Sequence, residues 1–506
     1  MECILAYDIG GSTFRGGLID ARSEFSIMEI AHQDPPAPDH RGYSESDPEK
    51  WWQDLLRVTR TLLERPEAKK IKIIGIAVSG ITRTQIFLDK NGKVIRPAIN
   101  WADGRATEQA EKVTHARAQI GLQGKTFGPV NAFHTLARLL WVKENEPDVF
   151  ARLHIILEPK DYMNYRLTGE WGGDRISLSR LLTVSQQNLS IDLLNLLDLP
   201  SHIIPPLRKP QAQLGIVRDS LAQPLHRLAG IPVFVGGMDA WCGSLGIGAI
   251  KTGCAYNVSG TSEVFGIITD SFKEVRNLVT LPWGIGLYQI GGPSQAGADC
   301  MAWFIEAFGD RGLNSEPAMA MKKLPEMERQ PEPILFMPYL RGERVPLWDP
   351  DIRGLFLGIN RRHSWGDFMW AIIEGVSFAN RQILELASTD VTPAIQEVRI
   401  TGGAATSDLW CQIKADVLNL PVVRTRSKEA GLLGGAMLAL VGLGECSDLD
   451  ECQKKFVKIE RIFRPRPERA AIYDQLYNRW IETQTLLLPL SRHLTQDVTN
   501  GISMCL

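Results

Sequence analysis

No two of the eight cysteines stand in a CxxC pair: Cys3, Cys242, Cys254, Cys300, Cys411, Cys446, Cys452 and Cys505 are scattered along the chain. That spacing excludes a zinc knuckle and a disulfide framework, and reduced thiols in the cytoplasm are the expectation. An excess of one charge is also missing. Lys and Arg number 56 against 58 Asp and Glu, a formal net charge of -2, so there is no basic field for nucleic acid or for an anionic membrane. No apolar run reaches the roughly 20 residues of a bilayer span. The most apolar helical candidate, Ala430 to Leu443, is shorter and holds four glycines, which reads as a buried helix. The amino end has no basic stretch and its short apolar run closes at Asp8, so neither a signal peptide nor membrane passage is expected. A composition of 44% hydrophobic and 23% charged residues leaves little room for disorder and points to a folded chain whose partner is a small soluble ligand.

What is present is length and alternation. A chain of 506 residues accommodates two to four domains at roughly 150 residues each. Ile4 to Asp20 reads as two apolar strands joined by a tight glycine-containing turn with Asp8 on its rim. Lys72 to Ser79 and Pro232 to Asp239 are β-rich runs, and Glu49 to Leu63 and Ala132 to Asn145 are helical stretches. Strands alternating with helices give an α/β architecture. An internal echo divides the chain: Ala6-Tyr-Asp-Ile-Gly-Gly-Ser-Thr13 lines up with Ala255-Tyr-Asn-Val-Ser-Gly-Thr-Ser262, about half the chain away, and an apolar run follows each copy. The expected organisation is residues 1–248, then 249–464, then a terminal helix and tail over 465–506.

Each copy places glycines where backbone N–H groups can approach a polyanion, with hydroxyl residues beside them. Gly10, Gly11, Ser12 and Thr13 in the first copy, and Gly260, Thr261 and Ser262 in the second, are therefore candidates to hold a phosphate chain from two sides; shared hairpin-turn chemistry is the plainer reading of the echo. Asp8 ends a strand before the first turn, where it is placed either to orient Mg2+ through water or to close an Asx turn. Asp239 follows an apolar strand and precedes a glycine-containing helix, which suits a general base at a strand's carboxyl end and equally a helix N-cap. Ile400-Thr-Gly-Gly-Ala-Ala-Thr-Ser-Asp-Leu-Trp410 runs from a strand through a glycine turn into a helix, a shape that admits a ring or ribose close to the backbone.

In this order the segments resemble the FGGY carbohydrate kinases, the family that includes xylulokinases and glycerol kinases. The resemblance runs from Ile4 to about Leu443. It is carried by Asp8-Ile-Gly-Gly-Ser-Thr-Phe-Arg15, Gly75 to Gly80, Asn100-Trp-Ala-Asp-Gly-Arg105, Pro159 to Glu170 and Gly236-Gly-Met-Asp239. The second half adds Ser259-Gly-Thr-Ser262, Pro338 to Asp349 with Arg353-Gly354, Gly402 to Trp410, and Glu429 to Ala436. It implies two actin-like ATPase domains, of ribonuclease H-like α/β fold, around a central cleft, and ATP-dependent phosphorylation of a ketose, sugar or polyol. It implies Asp239 as catalytic base and Mg2+ held at Asp8 and Asp239. Gly10, Gly11, Ser12, Thr13, Arg15, Gly260, Thr261 and Ser262 would lie on the phosphates, and Gly402, Gly403, Ala404 and Ser407 on the adenosine. Trp101, Asp103 and Arg105 match the substrate-side loop, with Trp101 offering a flat face to a carbon chain or else serving as a core aromatic.

Departures concern the acceptor. Gly11 replaces the hydroxyl residue usual after Gly10, and the Gln-Met-His-Gly stretch of xylulokinases is absent, since Ser79-Gly80 is followed by Ile81-Thr-Arg-Thr84. The Arg-Glu pair of glycerol kinases falls on Thr82 and Arg83, so that match fails too. Arg83 is expected either to hydrogen-bond several hydroxyls or a carboxylate of the acceptor, or else to point to solvent or pair structurally. An actin-like nucleotide-gated interaction protein is the competing class, and a homodimer is left open by the sequence.

Overall fold

The hairpin at the amino end forms as read. Strands β1 (Glu2–Ile9) and β2 (Thr13–Asp20) pair antiparallel with Asp8 opposite Arg15, and β3 (Ser26–His32) continues from β2. Strand β4 (Lys72–Gly80) runs parallel to β1, the edge strand β5 (Gln213–Ile216) is antiparallel to β6 (Pro232–Met238), and β6 runs parallel to β4. The sheet order is β5-β6-β4-β1-β2-β3. The computed structural model describes residues 1–23, 26–33, 39, 42–125, 127–185, 188–260, 262–308, 317–389 and 391–499.

The described residues fall into two compact units. The first holds Met1–Gly248, Leu281–Gly284 and Glu429–Val457; the second holds Ala249–Thr280, Ile285–Lys428 and the chain from Lys458 onward. The units divide the expected block 249–464, because Glu429–Val457 packs in the first of them. The reason lies in the glycines of the helix Ala430–Leu443. A Cβ at Gly434 would strike the Cys242 carbonyl, and one at Gly442 would strike the Gln211 carbonyl, so only a nearly bare helix face comes this close to its neighbours. Helix Pro48–Glu64 covers β2 and β3, with Val58 and Leu62 over Gly16, while Leu432 lies over Gly17; consecutive glycines of β2 thus face two different helices.

In the second large sheet β7 (Cys254–Ser259) and β8 (Glu263–Thr269) repeat the hairpin, and β9 (Val279–Pro282), β10 (Tyr288–Pro293), β11 (Glu397–Thr401), β12 (Val422–Thr425) and β13 (Ile459–Phe463) complete the order β9-β10-β8-β7-β11-β12-β13. The sequence echo survives as structure with one change. Tyr7 lies opposite Gly16 and Tyr256 opposite Gly266, each buried ring resting on a glycine, but the chain from ring to glycine is one residue longer in the second hairpin. The terminal helix Pro467–Thr499 belongs to the second unit's core, where the buried Trp480 stacks on Tyr477 and its Nε1 donates to the Phe336 carbonyl at 2.8 Å.

Among the described residues no helix is long and apolar enough to cross a membrane. The seven described cysteines are buried and unbridged; Cys505 lies outside the described residues.

Candidate active site

Three parallel strands bring the first unit's carboxylates to one edge. Asp8 lies in register with Ser79, and Met238 with Gly80, so Asp8 and Asp239 emerge at the same end of β1 and β6 with β4 between them. Asp8 is only 8% exposed; its Oδ1 accepts from Ser79 Oγ at 2.8 Å, and Arg15 Nη1 stands 3.7 Å from Oδ2. Arg15 turns its Nε to Glu429 Oε2 at 3.1 Å, so this guanidinium, expected on a nucleotide, is paired within the unit. Gly10 N–H donates to Thr13 C=O at 2.8 Å and closes the turn; Ser12 and Thr13 are half-buried on it. A Cβ at Gly11 would lie 3.8 Å from the Trp101 indole, so a bare position faces the aromatic of the substrate-side loop.

Asp239 is the first residue of the helix Asp239–Gly246 rather than its cap, which is Met238. Its Oδ1 accepts from the next residue's N–H at 2.7 Å. The half-buried carboxyl is pushed up to about 6, by burial first and then by the charge of Asp8. Trp241, two positions on, donates from Nε1 to the Trp283 carbonyl at 2.6 Å and fixes the start of this helix.

The substrate-side loop divides into exposed and internal residues. Trp101 is half-buried, with its N–H on Thr84 Oγ1 at 3.2 Å. Asp103 and Arg105, expected on the substrate side, are bonded into the interior of the unit. Asp103 is fully buried, accepts Arg105 Nε at 2.8 Å and Nη2 at 2.7 Å, and takes the Ser44 N–H at 2.5 Å. The Arg105 guanidinium is sandwiched 4.0 Å from the Tyr43 ring and 4.7 Å from the Trp141 ring, and it also pairs with Glu45 at 2.8 Å. Asp103 and Arg105 thus bond to one another and to Ser44 and Glu45 within the unit.

Arg83 is half-buried, with φ of 58°, in the left-handed region. Its N–H donates to Glu158 Oε1 at 2.8 Å and its carbonyl accepts from Arg138 Nη1. Among the described residues its guanidinium has no ion pair, and of the opposing charges Asp239 acts on it more strongly than Glu158. Sequence reasoning missed Glu158, Arg138, Ser79 and Glu429. Ser79 and Glu429 stood inside recognised motifs and Glu158 directly before one, whereas Arg138 sits in a helix with no motif at all.

In the second unit Gly260 N–H donates to Ser262 C=O at 3.1 Å, and the Gly260 carbonyl accepts from Ala298 N–H at 3.0 Å; Thr261 lies outside the described residues. Beneath this turn Lys414, Asn257, Ser259 and Glu263 form a fully buried network. Lys414 Nζ reaches Glu263 Oε1 at 3.0 Å and also bonds Asn257 Oδ1, and Ser259 Oγ donates to Glu263 Oε1 at 2.5 Å. Gly402 takes φ of 94°, and a Cβ there would strike the Ser259 carbonyl, so the glycine turn seats directly on the end of β7. Gly403 is exposed with open space where a Cβ would stand, and Ala404 is buried behind it. Ser407 is the N-cap of the helix Asp408–Leu418, its Oγ accepting from Trp410 N–H at 3.3 Å, so its oxygen is engaged in the fold.

Residues 3–246 match the N-terminal domain model, and residues 255–443 the C-terminal domain model, of the FGGY family of carbohydrate kinases. The chain belongs to this family. The FGGY C-terminal model thus takes in Glu429–Leu443, a segment that the fold groups with the first unit. Xylulose kinase of Staphylococcus epidermidis is 28% identical over 497 residues, covering 94% of this chain and 95% of that one; xylulose kinase of Bacillus subtilis is 29% identical over 486 residues, covering 94% and 96%. The crystal structure of gluconate kinase from Lactobacillus acidophilus has the same fold, with a TM-score of 0.84 at 23% identity, covering 96% of this chain and 98% of that one. As an FGGY kinase the chain is an ATP-dependent phosphotransferase with an alcohol acceptor, and the competing class of a non-kinase interaction protein is set aside.

Proposed function

We propose that this FGGY kinase transfers the γ-phosphoryl group of ATP to a hydroxyl of a ketose, sugar or polyol, with Asp239 as general base. The Asp239 carboxylate takes the hydroxyl proton, the freed oxygen bonds to the γ-phosphorus, and the bond from that phosphorus to the β-phosphate oxygen breaks with ADP leaving. The observation that carries this reading is the position of Asp239: half-open at a strand end, raised to about 6, beside Asp8 and within the field of Arg83. A base whose pKa sits near working pH combines a usable ionised fraction with real proton affinity.

Gly10, Gly11, Ser12 and Thr13 in the first unit, and Gly260, Thr261 and Ser262 in the second, supply donors suited to phosphate, and Gly402, Gly403 and Ala404 a bare surface suited to adenosine. Among the described residues no group of three or more His, Cys, Asp and Glu is set to enclose a metal ion. Two neighbouring carboxylates fit Mg2+ nonetheless, because that ion retains most of its water and relieves the repulsion that raises Asp239. Held by Asp8 and Asp239, Mg2+ would neutralise charge on the phosphates. The open guanidinium of Arg83 is assigned to the acceptor's hydroxyls or carboxylate.

The test is ADP release from ATP across ketopentoses, ketohexoses, polyols and sugar acids. One compound is expected to stimulate release and to gain a single phosphoryl group by mass. A protein that no member of such a panel stimulates does not have this function.

A further inference from the structure

The backbone of Arg83 is held on both sides by buried side chains from two different helices. Its N–H is bonded by Glu158 Oε1 at 2.8 Å and its C=O by Arg138 Nη1. Glu158 is 3% exposed and Arg138 fully buried. Glu158 stands at the N-cap of the helix Pro159–Thr168, yet its side chain makes no bond to that helix's own N–H groups, and among the described residues its Oε2 has no hydrogen-bond partner. An acidic residue in that place ordinarily serves its own helix; this one is turned away, to the neighbouring turn. Arg138, on the helix Thr135–Asn145, also donates to Gln85 Oε1 at 2.8 Å, the Asn100 carbonyl at 2.6 Å and the Asp103 carbonyl at 3.0 Å, so it couples the Arg83 turn to the Trp101 loop. Burying a carboxyl and a guanidinium is unfavourable unless something is gained, and a long side chain in the left-handed region persists only where its surroundings impose it.

We propose that Glu158 and Arg138 are positioning residues for acceptor selection: together they fix the left-handed turn at Arg83 and with it the direction of the guanidinium. This rests on the assignment of Arg83 to the acceptor made above. Burial holds the Glu158 carboxyl well above the usual range, and the charge of Asp161 adds to this. Glu158 fixes the turn through the hydrogen bond that its Oε1 accepts from the Arg83 N–H. Release of the turn lets Arg83 relax to negative φ and swing its five donors off the acceptor, while the glycine turns assigned to the nucleotide are untouched.

The experiment compares Glu158→Leu, Glu158→Gln, Arg83→Ala and the double variant Glu158→Leu/Arg83→Ala, with KM for acceptor and for ATP measured separately. Glu158→Leu is expected to raise the acceptor KM about tenfold with the ATP KM within about twofold. Glu158→Gln keeps an oxygen for the Arg83 N–H and is expected to stay within about twofold of the parent, and the double variant to be no worse than Arg83→Ala alone. Should Glu158→Leu fail to fold, Glu158→Asp, which draws the carboxyl back by one methylene, is measured for the same acceptor-only increase. An unchanged acceptor KM, a Gln variant as impaired as the Leu variant, or acceptor and ATP KM rising together overturns the proposal alone. A parent enzyme that no acceptor stimulates overturns the kinase assignment with it.

Discussion

Asp239 sits at the same sheet edge as Asp8, and burial followed by the Asp8 charge lifts its carboxyl to about 6. Below that value Asp239 is protonated and cannot take a proton from the acceptor. The pH profile of kcat/KM is therefore expected to rise through an acid limb near 6 to a plateau. Asp8→Asn removes one of the two causes and leaves burial, so the Asp239 titration should fall yet remain above an ordinary aspartate. A carboxyl-carbon NMR titration of both proteins reads this directly, and an unmoved Asp239 in Asp8→Asn contradicts the coupling.

The same shift makes a statement about stability. Asp239 binds its proton more tightly folded than unfolded, so its contribution is fully present below the unfolded value and is lost as pH rises through about 6. At pH 8 the ionised carboxylate is an internal strain, which Asp239→Asn relieves. The variant is expected to melt higher than the parent at pH 8, with the gap shrinking toward pH 5, while kcat falls on the order of 10²–10⁴-fold. Calorimetry and initial rates on one preparation test both halves.

Much of this site was legible because its signals are local. The strand-turn-strand at Ile4 to Asp20, the apolar run ending at Asp239, and the echo at Ala255 each state their geometry within about ten residues of sequence. What was not legible depends on pairing across the chain. Glu158 meets Arg83 across 75 positions, and Lys414 meets Glu263 across 151, with no periodicity to announce either. The internal bonds of Asp103 and Arg105 were equally hidden: the pair closes on itself two residues apart, and its packing against Tyr43 and Trp141 shows only in the fold. The glycines of Ala430–Leu443 marked a buried helix without saying which unit buries it.

One of those glycines bears on activity. A Cβ at Gly431 would lie 2.8 Å from Asp8 Oδ2, whose carboxylate is already tied to Ser79. Gly431→Ala therefore displaces Asp8 rather than backbone, and the fold accommodates it. A displacement of this kind at reacting distance is expected to lower kcat about 10²-fold with little change in melting temperature. Gly434→Ala, directed at the Cys242 carbonyl, has no side chain to push and is expected to destabilise by about 1–3 kcal/mol instead. Denaturant unfolding and initial rates separate the two variants.

In the second unit the turn at Gly260 stands over charges that have no route to water. Lys414 and Glu263 are both fully buried, and Ser259, the residue before the turn, donates to the same carboxylate that Lys414 pairs with. Removal of one partner leaves the other ionised and unpaired in the interior, which costs far more than the pair is worth. Lys414→Met is thus expected to lose about 3–5 kcal/mol of stability, whereas Lys414→Met/Glu263→Gln recovers a large part of it. Lys414 holds in place the carboxylate to which Ser259 donates, so both variants loosen the support of the turn and the ATP KM is expected to rise in both, including the one whose stability returns. Urea denaturation gives the first quantity and ATP titration at saturating acceptor the second. A double variant with restored stability and an unchanged ATP KM would show that this network holds up the sheet without shaping the turn above it.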